Sequence, residues 1–294
     1  MESKTIVLSK KGFDSSTGGM YPPLISNSGE YAFLPIPEPA HMTGPDYEGV
    51  DYASLPTDFP DFDNLKDLLT SKNKLPEHGA HLDPDLTRVH SVENWKPAFG
   101  QRGAAQGYLR NHGVGTDSKR TLFLFFSRFK PWAKTDKGLT EGYYIYGWLE
   151  VGRTLNPSEE ERELEYHPHF AAKYREATNN ILYVAPEHIT GTSLPGAGMF
   201  RRLSKNRKLS FSEEKDLLTW KLPSCCFESF SRLKNYKKLE DSSCLAVWPQ
   251  SFGQAAVCSL ETSDNQKAVE KVRQWAINKI KAGIENVGIK QGCL

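Results

Sequence analysis

Two stretches of sequence decide the fold: RTLFLFFSRF at residues 120–129 and YYIYGWLEVG at residues 143–152. Both are rich in aromatic and branched side chains, which favour β-strands, and a polar segment with two glycines separates them. We therefore predict that the two stretches form neighbouring antiparallel strands. Their aromatic side chains predict core packing, with base stacking as the alternative.

The rest of the chain predicts short elements around this pair. Residues 20–63 are rich in proline, tyrosine and acids, which disfavours long helices and indicates an ordered meander laid across the core. Apolar spacing predicts helices at 65–71, within 99–113 and, most clearly, at 265–284. Further strands are predicted at residues 5–9, 80–86, 181–185, 208–211, 217–222 and 255–260. These elements predict a single α+β domain with a mixed or antiparallel sheet and a C-terminal amphipathic helix.

Composition limits the class of protein. The chain has 294 residues, of which 38% are hydrophobic, and its 37 basic and 36 acidic residues nearly cancel. This balance argues against binding long polyanions through bulk charge alone. No signal-peptide core or membrane-length apolar run is visible, and the five cysteines form no CxxC pair. We therefore expect a cytoplasmic protein with reduced thiols and no membrane partner.

Common catalytic fingerprints are missing from the sequence. It contains no Walker loop, no HExxH and no GxSxG, and GAGMF at residues 196–200 does not continue to GxGxxG. A P-loop NTPase, an α/β hydrolase or a common dehydrogenase is thereby disfavoured.

The first polar cluster is the loop LSKKGFDSSTGG at residues 8–19, which follows a predicted strand. Such junctions often present backbone N–H groups and hydroxyls to an anion. Asp14 is a candidate base, and the candidate phosphate or sugar contacts are Lys10, Ser15, Ser16 and Gly19. The alternative is an Asx or Ser turn with solvated lysines.

Two histidine-containing motifs supply further candidates. HLDPDL places His81, Asp83 and Asp85 at alternating positions, so that they share one face of an extended segment. A histidine with two carboxylates can hold a divalent cation or move protons. YHPHF supplies His167 and His169, which can join His81 and Asp83 in a metal site. The alternatives are carboxylates that cap a turn around the proline, and structural or surface histidines.

A third motif, FGQRGAAQG at residues 99–107, predicts ligand contacts near the start of a helix. Gln101 and Arg102 precede the helix, where an anion is favoured, and Gln106 follows within it. A glutamine can also read a base edge. The alternative is an ordinary polar helix surface.

Taken in order, these motifs resemble the nucleotide modification associated domain 3 family. The shared stretches are LSKKGFDSSTGG, LPIPE, HLDPDL, FGQRGAAQGYL, FLFFSRF, YGWLEVG, HPHF with NNILYVA, and FGQAAV. The resemblance runs from about residue 4 to about residue 278. Met20, Tyr21 and Ser127 depart from the family pattern. The resemblance implies a role beside DNA or nucleotide base-modification systems of bacteria, archaea and phages, with other proteins of those systems as possible partners.

We expect an enzyme, or enzyme component, that acts on a nucleotide or base. Its predicted catalytic residues are Asp14, His81, Asp83 and Asp85, with a divalent metal as a candidate cofactor at His81 and Asp83. The predicted substrate contacts are Lys10, Ser15, Ser16, Gly19, Gln101, Arg102, Gln106, His167 and His169. One alternative is a non-catalytic module that recognises a modified base, because the central strands resemble a PUA-like barrel by fold analogy. Another is a structural partner in a modification complex.

Overall fold

The computed structural model describes residues 5–88, 92–133, 138–158, 164–211, 216–249, 255–260 and 266–290. They form an α+β structure with several sheets. The strands are β1 Ile6–Lys10, β2 Pro23–Leu24, β3 Ala98–Gln101, β4 Leu122–Pro131, β5 Gly142–Glu150, β6 Arg153–Leu155, β7 Ile181–Val184, β8 Ala197–Met199, β9 Thr219–Pro223, β10 Lys234–Lys238, β11 Ser243–Val247 and β12 Ala255–Cys258. The α-helices are α1 Leu65–Ser71, α2 Gly103–Arg110, α3 Ala172–Arg175 and α4 Gln266–Val287.

The central sheet is built around the two strands that the sequence predicts most strongly. Its order is β12-β1-β4-β5-β8, and β2 pairs with β4. β4 and β5 are antiparallel, as predicted, whereas β1 runs parallel to β4. All nine residues of β5 are buried, because both faces of the sheet are covered. This explains why the strand reads as a continuous apolar run.

Side chains alternate between two cores on either side of the central sheet. Leu122, Leu124 and Phe126 of β4 pack in the core that includes α4 and residues of β9 and β11. Phe123 and Phe125 pack in the opposite core, which includes residues of β3 and β7. Sheets β10-β11-β9 and β3-β7-β6 supply these strands. The aromatic strand residues are therefore core residues rather than exposed stacking surfaces.

The proline-rich meander is ordered, as predicted, and it also contributes to a small core of its own, which the sequence did not predict. Phe13, Leu34, Tyr52 and Leu68 belong to one buried cluster. Helix α1 has the predicted bounds, and the Asn64 side chain caps it by accepting a hydrogen bond from a backbone N–H of its first turn. Residues 13–82, which include the meander, therefore form a folded layer that holds side chains in fixed positions.

Several predicted elements differ from the structure. Residues 80–86 and 208–211 form isolated bridges rather than strands. The stretch at 99–113 divides into β3 and α2, and Gly103 takes a φ of 57° where α2 begins. Helix α4 extends to Val287, and its predicted first residue, 265, lies outside the described residues.

The structure also bears on two further expectations, a PUA-like barrel and the absence of a membrane-spanning segment. No closed barrel is found in the described part of the chain, so the PUA-like barrel is not confirmed. Across the same described ranges, no helix combines the length and the apolar character needed to cross a membrane.

Candidate functional site

A cleft of about 770 Å³ lies where three chain-distant polar segments meet. Asp14 from the opening loop, His81 and Asp83 from HLDPDL, and Gln101 at the end of β3 all line it. His169 comes from a 3-10 helix, Pro168–Phe170. The convergence on which the predicted site depends is therefore present in the fold.

His81, Asp83 and His169 form a compact group that can hold a metal ion. One ligand atom from each lies within 4.8 Å of the other two, and all three residues are buried. The Nε2 atoms of both histidines lie 4.0 Å from Asp83 Oδ2. Ligand atoms of a tetrahedral Zn²⁺ lie about 3.4 Å apart at Zn–N distances near 2.0–2.1 Å, so each 4.0 Å histidine–aspartate separation needs to shorten by about 0.6 Å to bind an ion.

The His81 ring is oriented by a buried carboxylate. Glu38 is only 2% exposed, and its Oε1 lies 2.7 Å from His81 Nδ1. Tyr47 and Tyr174 each donate a hydroxyl hydrogen bond to Glu38, both at 2.6 Å. Burial alone raises the pKa of Glu38, but the hydrogen bond and charge of His81, together with the two tyrosine hydrogen bonds, outweigh it and the pKa is lowered. An ionised Glu38 holds the Nδ1 side of the His81 ring and turns Nε2 toward Asp83.

The His169 ring is oriented in the same way by an amide. Its Nδ1 lies 2.5 Å from Asn180 Oδ1. The Asn180 amide donates to the carbonyl oxygens of His169 and Tyr174, at 3.0 and 2.9 Å, which fixes Oδ1 as the acceptor. His169 therefore carries its proton on Nδ1 and presents Nε2 as a lone pair. Burial lowers the pKa of His169 to about 3, although Asp83 opposes this shift, so the ring is neutral.

The Asp83 carboxylate is fixed through its other oxygen. Oδ1 accepts the backbone N–H of Gly100 at 2.6 Å and lies 3.5 Å from His167 Nε2. His167 Nδ1 accepts the backbone N–H of His169, so the ring proton of His167 is on Nε2. Burial alone raises the pKa of Asp83, but the neighbouring His167, Lys11 and His169 together outweigh it, and the pKa lies below its usual range. Oδ2 is thereby left for the cleft.

Lys11 brings a buried cation next to this group. Its Nζ lies 3.9 Å from Asp83 Oδ2 and 4.4 Å from the centre of the Phe99 ring. Burial lowers the pKa of Lys11, and the neighbouring Asp83 opposes the shift. The Asp83 carboxylate therefore has a protein counter-charge as well as three histidine neighbours.

Asp85 and Gln106 point away from the cleft. Asp85 accepts a hydrogen bond from Trp95 Nε1 at 3.0 Å, and burial raises its pKa to about 8. Gln106 donates to the carbonyl oxygen of Val114 and accepts from the Tyr183 hydroxyl. Neither residue lines the cleft, in contrast to Gln101 and Arg102. His167 also lies behind Asp83 rather than at the cleft wall.

The opening loop lines the cleft, but Asp14 is engaged within the loop. Its Oδ1 accepts from the Ser16 N–H, the Ser16 hydroxyl and the Thr17 N–H at 2.7–2.9 Å, and its Oδ2 accepts from Lys10 at 2.7 Å. Ser15 accepts a hydrogen bond from Tyr21 and, like Gly19, does not line the cleft. These contacts are those of the Asx turn in the alternative interpretation, and the catalytic role of Asp14 stays a prediction.

The family model for nucleotide modification associated domain 3 matches residues 5–272. The chain belongs to this family. The match spans the central sheet, the meander and every member of the histidine–aspartate group, so the cleft is part of the family domain. No match is found among curated proteins or among solved structures.

Sequence reasoning missed the residues of the family domain that orient the predicted ligands. Glu38 lies in LPIPE, where a single charge follows an apolar, proline-rich run, and that isolation is a signal for a buried carboxylate. Asn180 and Tyr174 follow HPHF closely in the chain, but nothing in their spacing indicates that they bind His169 and Glu38. Gly100 acts through its backbone N–H, which a sequence does not reveal.

Proposed function

We propose that this domain is a metal-dependent enzyme that acts on a nucleotide or on a nucleic-acid base. One observation carries the proposal: His81 Nε2, His169 Nε2 and Asp83 Oδ2 face one another, and a separate hydrogen bond orients each residue. Two imidazoles and one carboxylate form a common ligand set for divalent transition metals. Bonds from outer groups to the far side of each ligand are what metal sites ordinarily show.

The number of ligands favours catalysis over a structural role. Three protein ligands leave coordination positions open, and the group lines a cleft. A bound ion supplies a polarised water or, if it is Fe²⁺, a binding position for O₂. The cleft volume of about 770 Å³ is in the range of small-molecule sites. Together with the name of the family, this supports a nucleotide-sized substrate.

Metal binding by the purified protein tests the proposal directly. We expect one ion per chain in calorimetric titrations with Mn²⁺, Co²⁺, Zn²⁺ and, without oxygen, Fe²⁺. Asp83→Asn keeps the size of the side chain but removes its charge, so binding should weaken at least 100-fold, since loss of an outer partner alone costs about 10–100-fold. His188→Ala is the matched control, because His188 is exposed and outside the cleft. Wild-type protein that binds no ion, or equal binding by Asp83→Asn, refutes the proposal.

One observation favours a second candidate, a non-catalytic module that recognises a modified base. Lys11 can neutralise Asp83 without a metal, which would make the cluster a hydrogen-bonded ion pair. Turnover separates the two candidates. The metal-loaded protein is incubated with nucleotides and with DNA, and the products are analysed by mass spectrometry. A new mass that depends on Asp83 supports the enzyme, whereas binding without any mass change supports the module.

A further inference from the structure

The first turn of α2 presents unused hydrogen-bond donors next to the candidate metal ligands. The Gly103 N–H donates to Thr178, and the Gln106 N–H donates to Arg102. The N–H groups of Ala104 and Ala105 have no acceptor within the described ranges of the chain. Both alanines line the cleft, and no acidic residue lies in this turn. The positive end of the helix dipole therefore faces the cleft without an acceptor from the protein.

An independent observation at the same place is the side chain of Gln101. It is only 7% exposed and lines the cleft, yet its amide makes no hydrogen bond with any part of the chain that the structure describes. Its amide atoms are not among the enclosed polar atoms of the described residues that lack a partner, so they open into the cleft rather than into the protein interior. An amide that is held at the cleft wall and makes no bond to the protein is available to a ligand that offers oxygen atoms.

Arg102 adds a positive charge that no carboxylate in the described structure balances. Its guanidinium lies 4.9 Å from the centre of the Tyr174 ring and lines the cleft. By contrast, Lys10 pairs with Asp14 and Lys11 with Asp83. Arginine suits phosphate groups because its planar fork donates two parallel hydrogen bonds.

We propose that Gln101, Arg102 and the first turn of α2 bind a phosphate group of the substrate. The proposal rests on the proposed function for the choice of a nucleotide as ligand. The backbone places this subsite next to the histidine–aspartate group, because Gly100, which directly precedes Gln101, donates to Asp83. The phosphate can belong to a mononucleotide or to a nucleic-acid strand, and both present the same oxygen atoms to the helix.

Binding assays in the presence of EDTA test the subsite without any metal. The probes are inorganic phosphate, the four 5′-deoxynucleoside monophosphates, the matching deoxynucleosides and a single-stranded thymidine oligonucleotide. We expect monophosphates or oligonucleotide to bind at least tenfold more tightly than nucleosides. Arg102→Gln should weaken that binding about tenfold or more, since a hydrogen bond to a charged group contributes about 1.5–3 kcal/mol. Arg110→Gln, at the other end of α2, is the matched control and should bind as wild type does.

Gln101→Leu gives a result that a structural role would not produce. Because the Gln101 amide makes no hydrogen bond to the described part of the chain and opens into the cleft, leucine should leave Tm unchanged or higher while phosphate binding falls. A fall in Tm, or unchanged binding, overturns the proposal, as does equal affinity of wild-type protein for monophosphates and nucleosides. Tighter binding of monophosphates indicates a terminal phosphate, and tighter, salt-dependent binding of the oligonucleotide indicates a phosphodiester. Either result supports the subsite.

The two proposals fail separately. Asp83→Asn should keep phosphate binding in EDTA, and Arg102→Gln should keep metal binding. Wild-type protein that binds phosphate but no metal overturns the proposed enzyme and leaves the subsite. Metal binding without any preference for phosphate overturns the subsite alone.

Discussion

Gly100→Ala offers a demanding test of the site, because it changes no ligand and no charge. A Cβ at this position would lie 2.3 Å from His169 Cδ2 and 2.5 Å from His169 Nε2. Ordinary contacts begin near 3.4 Å, so the ring and the β3 backbone must separate by about 1 Å. The Gly100 N–H also holds Asp83 Oδ1, so the same movement disturbs two of the three candidate ligands.

The size of the effect follows from this geometry. Overpacking a buried contact costs about 1–3 kcal/mol of unfolding free energy. Displacing a ligand by about 1 Å should cost more than losing an outer partner, which weakens metal affinity about 10–100-fold. We therefore expect Gly100→Ala to fold with a reduced Tm and to bind Mn²⁺ or Co²⁺ at least 100-fold more weakly.

Gly107→Ala is the matched control for this substitution. A Cβ at Gly107 meets no atom within 4 Å, and alanine in a helix is about 1 kcal/mol more favourable than glycine. This variant should show equal or higher Tm and unchanged metal binding. Calorimetric titration and thermal unfolding of the two variants measure both effects. Wild-type metal affinity in Gly100→Ala would show that the histidine–aspartate group is not the binding site.

Three further predictions concern other groups. Glu38→Gln keeps the shape of the side chain that supports His81 but weakens it as a hydrogen-bond acceptor. Metal affinity should therefore fall about 10–100-fold in the same titrations, although Asp83 and both histidines remain. An unchanged affinity would contradict the orienting role of Glu38. Burial alone raises the pKa of Asp14, but the Lys10 and Ser16 hydrogen bonds lower it to about 2. The ionised Asp14 therefore stabilises the folded state above its ordinary pKa of 3.8, and this contribution is lost as pH falls through about 2. Asp14→Ala should therefore lower the unfolding free energy in urea by about 1 kcal/mol at pH 7, after a discount for solvent screening, and by less near pH 2; a difference that does not vary with pH would contradict this. The Cys226 hydrogen bond lowers the pKa of Cys225 to about 7, although burial opposes this shift. The rate at which iodoacetamide alkylates the Cys225 peptide, followed by mass spectrometry, should therefore reach half its maximum near pH 7 rather than near pH 9.

Local patterns in the sequence predict the parts of the fold that they determine. The paired central strands, α1 and the meander follow from side-chain alternation, capping and proline content, and the structure confirms them. Strand β10 was missed because its sequence, KNYKK, is charged and mostly exposed at the edge of its sheet. The bridges at residues 80–86 are set by partners at Pro37, Val50 and Ala98, which local periodicity does not encode.

The candidate site likewise contains residues that the sequence identifies and residues that it does not. The sequence identifies His81, Asp83 and His169 by residue type, and the fold brings them together. Asp85 has the same alternating position in HLDPDL, but its side chain bonds Trp95 instead of facing the cleft. Its backbone forms an isolated bridge with Ala98 and is not part of an extended strand, so the predicted shared face does not form. Glu38 is not revealed by the sequence because it acts across the fold: it lies 43 positions from His81 and 136 positions from Tyr174.

These long-range contacts tie the site to the folding of two separate layers. Glu38 belongs to the meander, whereas His169 and Asn180 belong to the segment that leads into β7. Neither layer alone supplies both oriented histidines, so the ligand set exists only when both are docked. An ion that binds only this docked state must stabilise it by mass action, by about 2.7 kcal/mol when its free concentration is 100 times Kd. A recognition module has no need of that coupling, because base stacking and a phosphate contact require only the cleft wall. The hydrogen bonds that hold both Nε2 atoms toward Asp83 are therefore the feature that favours a metal-dependent enzyme over a binding module.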